Sequence, residues 1–160
     1  MNVAEANAAG PSAFADIAEH SPWVAEAAFK HAPFKSREDL IACFTNVVMA
    51  AEQALQLALL RAHPDLATRA KLTDDSTKEQ QGAGLDSLSV EEFTTFTYYN
   101  QTYKAKNGFP FIFAVKGADK HQILSGFELR VLNETSYEFR TALEQVCKII
   151  RFRLEDRVSA

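Results

Sequence analysis

The stretch that decides the fold is residues 36–63, SREDLIACFTNVVMAAEQALQLALLRAH. Within it Leu40, Phe44, Val47, Val48, Ala51, Leu55 and Leu59 recur at spacings of three and four, which lays one apolar stripe along an α-helix. Ser36 stands where an N-cap belongs, and no Gly or Pro interrupts the run before Pro64. The spacing predicts a single long helix ending at His63.

The same signals recur on both sides. Residues 1–11 are small and polar apart from Val3 and close on Gly10-Pro11, which predicts a flexible N-terminal arm. Ser12 can cap a short helix carrying Phe14, Ile17 and Ala18, and Ser21-Pro22 can start another that runs to about His31 before Pro33 stops it. Further on, Ser89-Val90-Glu91-Glu92 is a capping box for a helix with Phe93, Phe96, Asn100 and Tyr103 on one face, and Asn107-Gly108 should end it in the left-handed manner. Helices over about 118–132 and 136–157 complete the chain, the second with a stripe of Phe139, Ala142, Leu143, Val146, Ile149 and Ile150. Residues 111–115 are the best strand candidate and are too short to pair alone. The expected fold is all-α, a multi-helix bundle forming one domain over residues 12–160.

Composition narrows the function classes. With 160 residues, 47% hydrophobic and 24% charged, the chain can bury a substantial core. Its net charge of -4, with no dominant basic cluster, argues against a nucleic-acid surface. No run approaches the roughly 18 apolar residues a membrane span needs, and the first residues lack the basic region of a secretory signal. Cys43 and Cys147 fall on amphipathic helices without paired short spacing, which fits reduced thiols. These readings together point to a cytoplasmic protein without a membrane partner.

Four places carry side chains suited to chemistry. His63 ends the long helix, where an imidazole can complement the helix C-terminus or give and take a proton near neutrality. Ser76-Thr77-Lys78-Glu79-Gln80 fits a capping box, yet Gly82 and Gly84 follow at once, and a helix start also suits a substrate carboxylate. Gly108-Phe109-Pro110-Phe111-Ile112 reads either as a core-plugging turn or as a stiffened segment whose amides, from Phe111 through Ile112, Phe113 and Ala114 to Val115, hold an oxyanion. Arg153 falls on the last helix's apolar stripe, seven residues after Val146, so it either snorkels past the core or reaches into a pocket as an anion anchor. His63, Asp65, Asp74, Asp75 and Glu79 show no recognised metal-ligand spacing, so no metal is expected.

In this order, the segments resemble the 2-oxo-4-hydroxy-4-carboxy-5-ureidoimidazoline (OHCU) decarboxylase family. The resemblance runs from near Phe14 to Leu154 and rests on Arg61-Ala62-His63-Pro64-Asp65-Leu66-Ala67, Ser76 to Gln80 with Gly84-Leu85, Asn100-Gln101-Thr102-Tyr103, Gly108 to Ile112, and Arg153-Leu154. Thr68, where glycine is frequent, and Asn107, where an aromatic is frequent, depart from the pattern. The resemblance implies an all-helical, cofactor-free carboxy-lyase, commonly a homodimer, that forms (S)-allantoin in urate degradation. It implies His63 as catalytic proton donor with Glu79 beside it, and substrate contacts from Pro64, Ser76, Thr77, Lys78, Glu79, Gln80, the residues from Phe111 to Val115, and Arg153. Two rival readings remain: a helical module that only binds a small anionic ureide, and a lyase or hydrolase acting on a related ureide.

Overall fold

A computed structural model describes residues 1–68 and 71–160. Among them are eight α-helices and no strand: α1 Val3–Ala9, α2 Trp23–Ala28, α3 Arg37–Ala50, α4 Gln53–Ala62, α5 Asp74–Gly82, α6 Val90–Asn107, α7 Lys120–Arg130 and α8 Thr135–Arg157. The all-α expectation holds. Where the sequence suggested one domain, contacts group the chain into two compact units: Met1–Ala62 with Val146–Ala160, and His63–Gln145.

The first unit corrects two expectations. The N-terminal residues form a helix instead of an arm: Asn2 and Glu5 make a reciprocal capping box at the start of α1, and Ala6 is fully buried. Asn7 fastens that helix by donating to the Phe34 carbonyl at 2.9 Å and accepting from the Phe34 amide at 2.8 Å. Serine spacing alone gave no sign of this, because the ties come from distant residues. Of the two serine-started helices expected before Pro33, the second forms, α2 continuing as a 3₁₀ turn to His31, while the first does not and neither serine caps. Residues Pro11–Phe14 make one 3₁₀ turn, and the Ser21 hydroxyl donates to the Glu19 carbonyl instead of capping α2.

The decisive stretch folds as two helices. Ser36 caps α3 by accepting from the Asp39 amide, as expected, but at Ala51 the backbone turns extended and α4 leaves at 111° to α3. No Gly or Pro marks the break. Gln56 stabilises it: its buried side-chain amide donates to the Val48 and Met49 carbonyls at 3.0 and 3.2 Å and so satisfies acceptors that a helix end leaves open. Of the expected stripe in α4, Leu59 is buried, joined by Gln56 and Leu60, while Leu55 is 43% exposed. Phe14, Phe29, Phe34 and Phe44 pack against one another, with ring centroids 5.1–6.4 Å apart, to fill this unit's interior.

In the second unit α6 follows its sequence closely. Ser89 and Glu92 form the capping box, Phe96, Asn100, Tyr103 and Asn107 are buried, and Gly108 ends the helix at φ 78°. Residues 111–115 run without regular structure, and Phe111 stacks on Phe127 of α7 with centroids 3.7 Å apart. Tyr103 meets Phe109, Phe111 and Phe127 edge-on and donates its hydroxyl to Glu138 at 2.6 Å.

Two outcomes follow from these bonds. Gln56→Ala should strand the terminal carbonyls of α3 and lower stability by about 1–3 kcal/mol, read by denaturant unfolding. Burial and the Glu138 hydrogen bond push the Tyr103 hydroxyl above its ordinary ionisation range. An unfolded tyrosine ionises near pH 10, so stability should be intact below about pH 10 and fall as pH rises beyond it. Tyr103→Phe should lose this alkaline component, which chemical unfolding of the two proteins at pH 9 and pH 11 would measure.

Candidate active site

His63 directly follows α4 and is 9% exposed. After it the chain passes Pro64 and Asp65, buries Leu66 and Ala67, and takes a left-handed turn at Ala67, φ 58°. Two helices grip this loop. From α5, Gln80 accepts from the Ala67 amide at 2.9 Å and donates to the Asp65 carbonyl at 3.4 Å. From α6, Asn100 donates to the Leu66 carbonyl at 2.8 Å. Lys104, one turn further along α6, pairs with Asp65 at 3.1 Å in a half-exposed bridge of small energetic weight.

Helix α5 begins earlier than its capping-box pattern suggests. Thr73 is the N-cap, its hydroxyl accepting from the Ser76 amide at 3.3 Å, so Ser76 sits inside the first turn and is not the cap. This choice puts Asp74 and Asp75 at the positive end of the helix, where carboxylates stabilise it. Ser76 and Gln80, four residues apart, share the buried face; Glu79 and Thr77 are half-buried, and Lys78 is exposed. The Thr77 hydroxyl donates back to the Thr73 carbonyl. Gln80, expected to meet the substrate, spends both ends of its amide on the His63 loop.

The segment after Pro110 is seated on α7. Phe111 lies under the Arg130 guanidinium, 4.4 Å from ring centroid to Cζ, and Arg130 donates to the Ile112 carbonyl at 2.7 Å. The Ala114 amide, one of those expected to hold an oxyanion, donates instead to the Gln145 side chain at 2.9 Å. Phe113 is half-buried and Val115 is buried. A cavity of 170 Å³ borders the loop, lined in part by Ala67, Thr68, Leu85 and Phe93, and its lining includes none of the expected substrate contacts.

Arg153 belongs to the first unit and is 5% exposed, as its place on the α8 stripe demands. It does not snorkel. Its guanidinium donates to the Glu19 carboxylate at 2.9 Å and to the Ile17 carbonyl at 3.1 Å. Sequence reasoning missed this Glu19, whose position in an irregular stretch gives no periodic signal. It also missed Asn100 as a loop clamp and Glu138 as a buried charge. Glu138 could have been found as Arg153 was, since it lies four residues before Ala142 on the same stripe.

The chain is similar to a well-defined set of proteins. The family model described as OHCU decarboxylase matches residues 4–155. The 2-oxo-4-hydroxy-4-carboxy-5-ureidoimidazoline decarboxylase of Haloferax volcanii is 47% identical over 148 residues, 92% of this chain and 88% of that protein. The uric acid degradation bifunctional protein PucL of Bacillus subtilis is 42% identical over 143 residues, which are 89% of this chain but 29% of that protein. A solved (S)-allantoin synthase is 32% identical with a TM-score of 0.81, covering 99% of this chain and 54% of that one. An OHCU decarboxylase solved in the presence of (S)-allantoin, 20% identical with a TM-score of 0.76 over 89% of this chain and 95% of that one, shares the fold.

Breaking the interior ion pair should be costly. Glu19→Gln leaves the buried guanidinium without its counter-charge and should lower stability by about 3 kcal/mol, against a few tenths for Glu144→Gln in an exposed pair, both read by urea unfolding.

Proposed function

Because the chain belongs to the OHCU decarboxylase family, a family of carboxy-lyases, we propose that His63 donates the proton that completes its reaction. The reaction is decarboxylation of 2-oxo-4-hydroxy-4-carboxy-5-ureidoimidazoline to (S)-allantoin in urate degradation. The observation that carries the role of His63 is the grip on its loop. An imidazole that is nearly buried and followed by a segment clamped by Gln80 and Asn100 is held in place before substrate arrives, which is what a stereospecific proton donor requires.

The chemistry runs in two steps. The bond between C4, the ring carbon that bears the hydroxyl, and the carboxylate breaks, carbon dioxide leaves, and the bond's electron pair forms a C4–C5 double bond while the adjacent C5=N pair moves onto nitrogen; the C4 hydroxyl proton ends on that nitrogen, leaving an enolate oxygen on C4. Main-chain amides of the segment after Pro110, Phe113 foremost, stabilise the oxyanion as it forms. The imidazolium of His63 then delivers its proton to one face of C5, the ureido-bearing carbon, as the C4 oxygen becomes the carbonyl of allantoin, and the imidazole is left neutral. Glu79 orients the hydroxyl or carboxylate of the substrate, Pro64 and Ser76 border it, and Arg153, its guanidinium fixed by Glu19, anchors an anionic or ureide oxygen. Thr77 and Lys78 take outer positions. Gln80 serves chiefly by holding the loop. The proposal extends to a cofactor-free homodimer that works in the cytoplasm.

His63→Asn should retain the fold and reduce formation of (S)-allantoin by about 100-fold or more, followed by circular dichroism on freshly generated substrate. Near-normal chiral product from this variant would sink the assignment. A wild-type protein that bound the ureide yet yielded racemic allantoin would instead reveal a binding module. Treatment with a chelator should leave the rate unchanged.

A further inference from the structure

The most completely enclosed charge in the second unit has no part in the reaction as described. Glu138 is 0% exposed; its Oε1 accepts from the Tyr103 hydroxyl at 2.6 Å and from Arg130 Nε at 2.9 Å, and its Oε2 accepts from Asn133 at 3.0 Å. Arg130, so fixed, uses Nη1 to bond the Ile112 carbonyl and lays its plane over Phe111. In a trans peptide the carbonyl of one residue and the N–H of the next point in opposite directions. The Arg130 bond to Ile112 therefore also sets where the Phe113 N–H points, which is away from Arg130.

The following peptide is set from another side. The Ala114 N–H donates to Gln145, so its partner carbonyl, that of Phe113, is aimed as well. Gly126 completes the seat: a Cβ there would lie 3.0 Å from the Phe113 ring, so only glycine lets the ring rest on α7 at this distance. Among the described residues no hydrogen bond occupies the Phe113 N–H itself. A donor with both neighbouring peptides fixed and no acceptor of its own is oriented in advance for something that arrives later.

We propose that Glu138 and Arg130 are positioning residues for the reaction, holding the Ile112–Phe113 peptide so that the Phe113 N–H meets the oxyanion of the enolate. This rests on the proposed role of the amides after Pro110 and assigns that role to one donor. Neither side chain touches substrate. Both act through the backbone, so their loss should appear in kcat and not in KM.

The test uses Arg130→Lys, which keeps the charge but replaces the planar fork with one ammonium, and a second variant, Glu138→Gln, in case the first does not fold. A protein carrying phenyllactic acid in place of Phe113 removes the N–H alone, by putting an ester at that bond. Arg130→Lys and the ester should each lower kcat by about 10- to 100-fold with KM changed less than about threefold, while far-UV circular dichroism stays native. Combined, they should lose no more than the larger single effect, because both remove the same interaction. A folded Arg130→Lys or Glu138→Gln protein with full kcat, or losses that multiply in the combination, overturns the positioning role. If the ester lowers kcat while Arg130→Lys does not, only the positioning role falls. If the ester is silent, the amide reading falls and takes this inference with it.

Discussion

A carboxylate sealed from water has to be satisfied by protein groups, and in the second unit that requirement organises what surrounds it. Glu138 accepts three hydrogen bonds from three elements: Tyr103 of α6, Arg130 of α7 and Asn133 of the turn leading into α8. An isolated buried carboxylate would be far too costly to keep ionised, so each of these donors is a condition for the others. The aromatic interior follows from the same arrangement. Tyr103 can bring its ring against Phe109, Phe111 and Phe127 because its hydroxyl has a partner at the far end, and Arg130 can cover Phe111 because its Nε is already paired.

Helix α8 carries a second charge on the same stripe, Arg153, and the first unit answers it in the same way. Glu19 is 2% exposed and pairs with it at 2.9 Å, and the Ser21 hydroxyl, which could have capped α2, donates instead to the Glu19 carbonyl. His20 between them takes φ 47°, a conformation that a non-glycine residue adopts only when its surroundings require it. By contrast Arg151, two residues before Arg153, pairs with Glu38 and Glu155 at the surface, where water screens the attraction.

Much of this was legible in the sequence where the signal is local. Ser36, the box at Ser89 and Glu92, and Gly108 act where their neighbours are one turn away, and the structure realises each. The Arg153 anomaly was visible because helical periodicity is also local. Long-range bonds were not legible. The turn at Ala51 depends on Gln56 reaching back to α3, α1 depends on Asn7 meeting Phe34, and Ser76 lost the cap to Thr73 because two aspartates favour the earlier start. In the candidate site the family motifs singled out His63 and its companions, but nothing in the spacing showed that Gln80 holds the loop or that Gln145 takes the Ala114 amide.

The loop after His63 shows what such long-range bonds accomplish. A left-handed conformation at an alanine costs on the order of 1 kcal/mol, and a free loop would relax it. At Ala67 it persists because Gln80 holds the amide of that residue while Asn100 holds the carbonyl before it, so rotation about either side breaks a buried hydrogen bond worth about as much as the strain or more. The reversal also turns Leu66 and Ala67 inward, at 6% and 7% exposure, adding apolar burial to the same end. A relaxed loop would give up these bonds and this burial together. The orientation of the residues following His63 is thus decided by helices α5 and α6, whose Gln80 and Asn100 side chains govern how firmly the backbone beside the histidine is held.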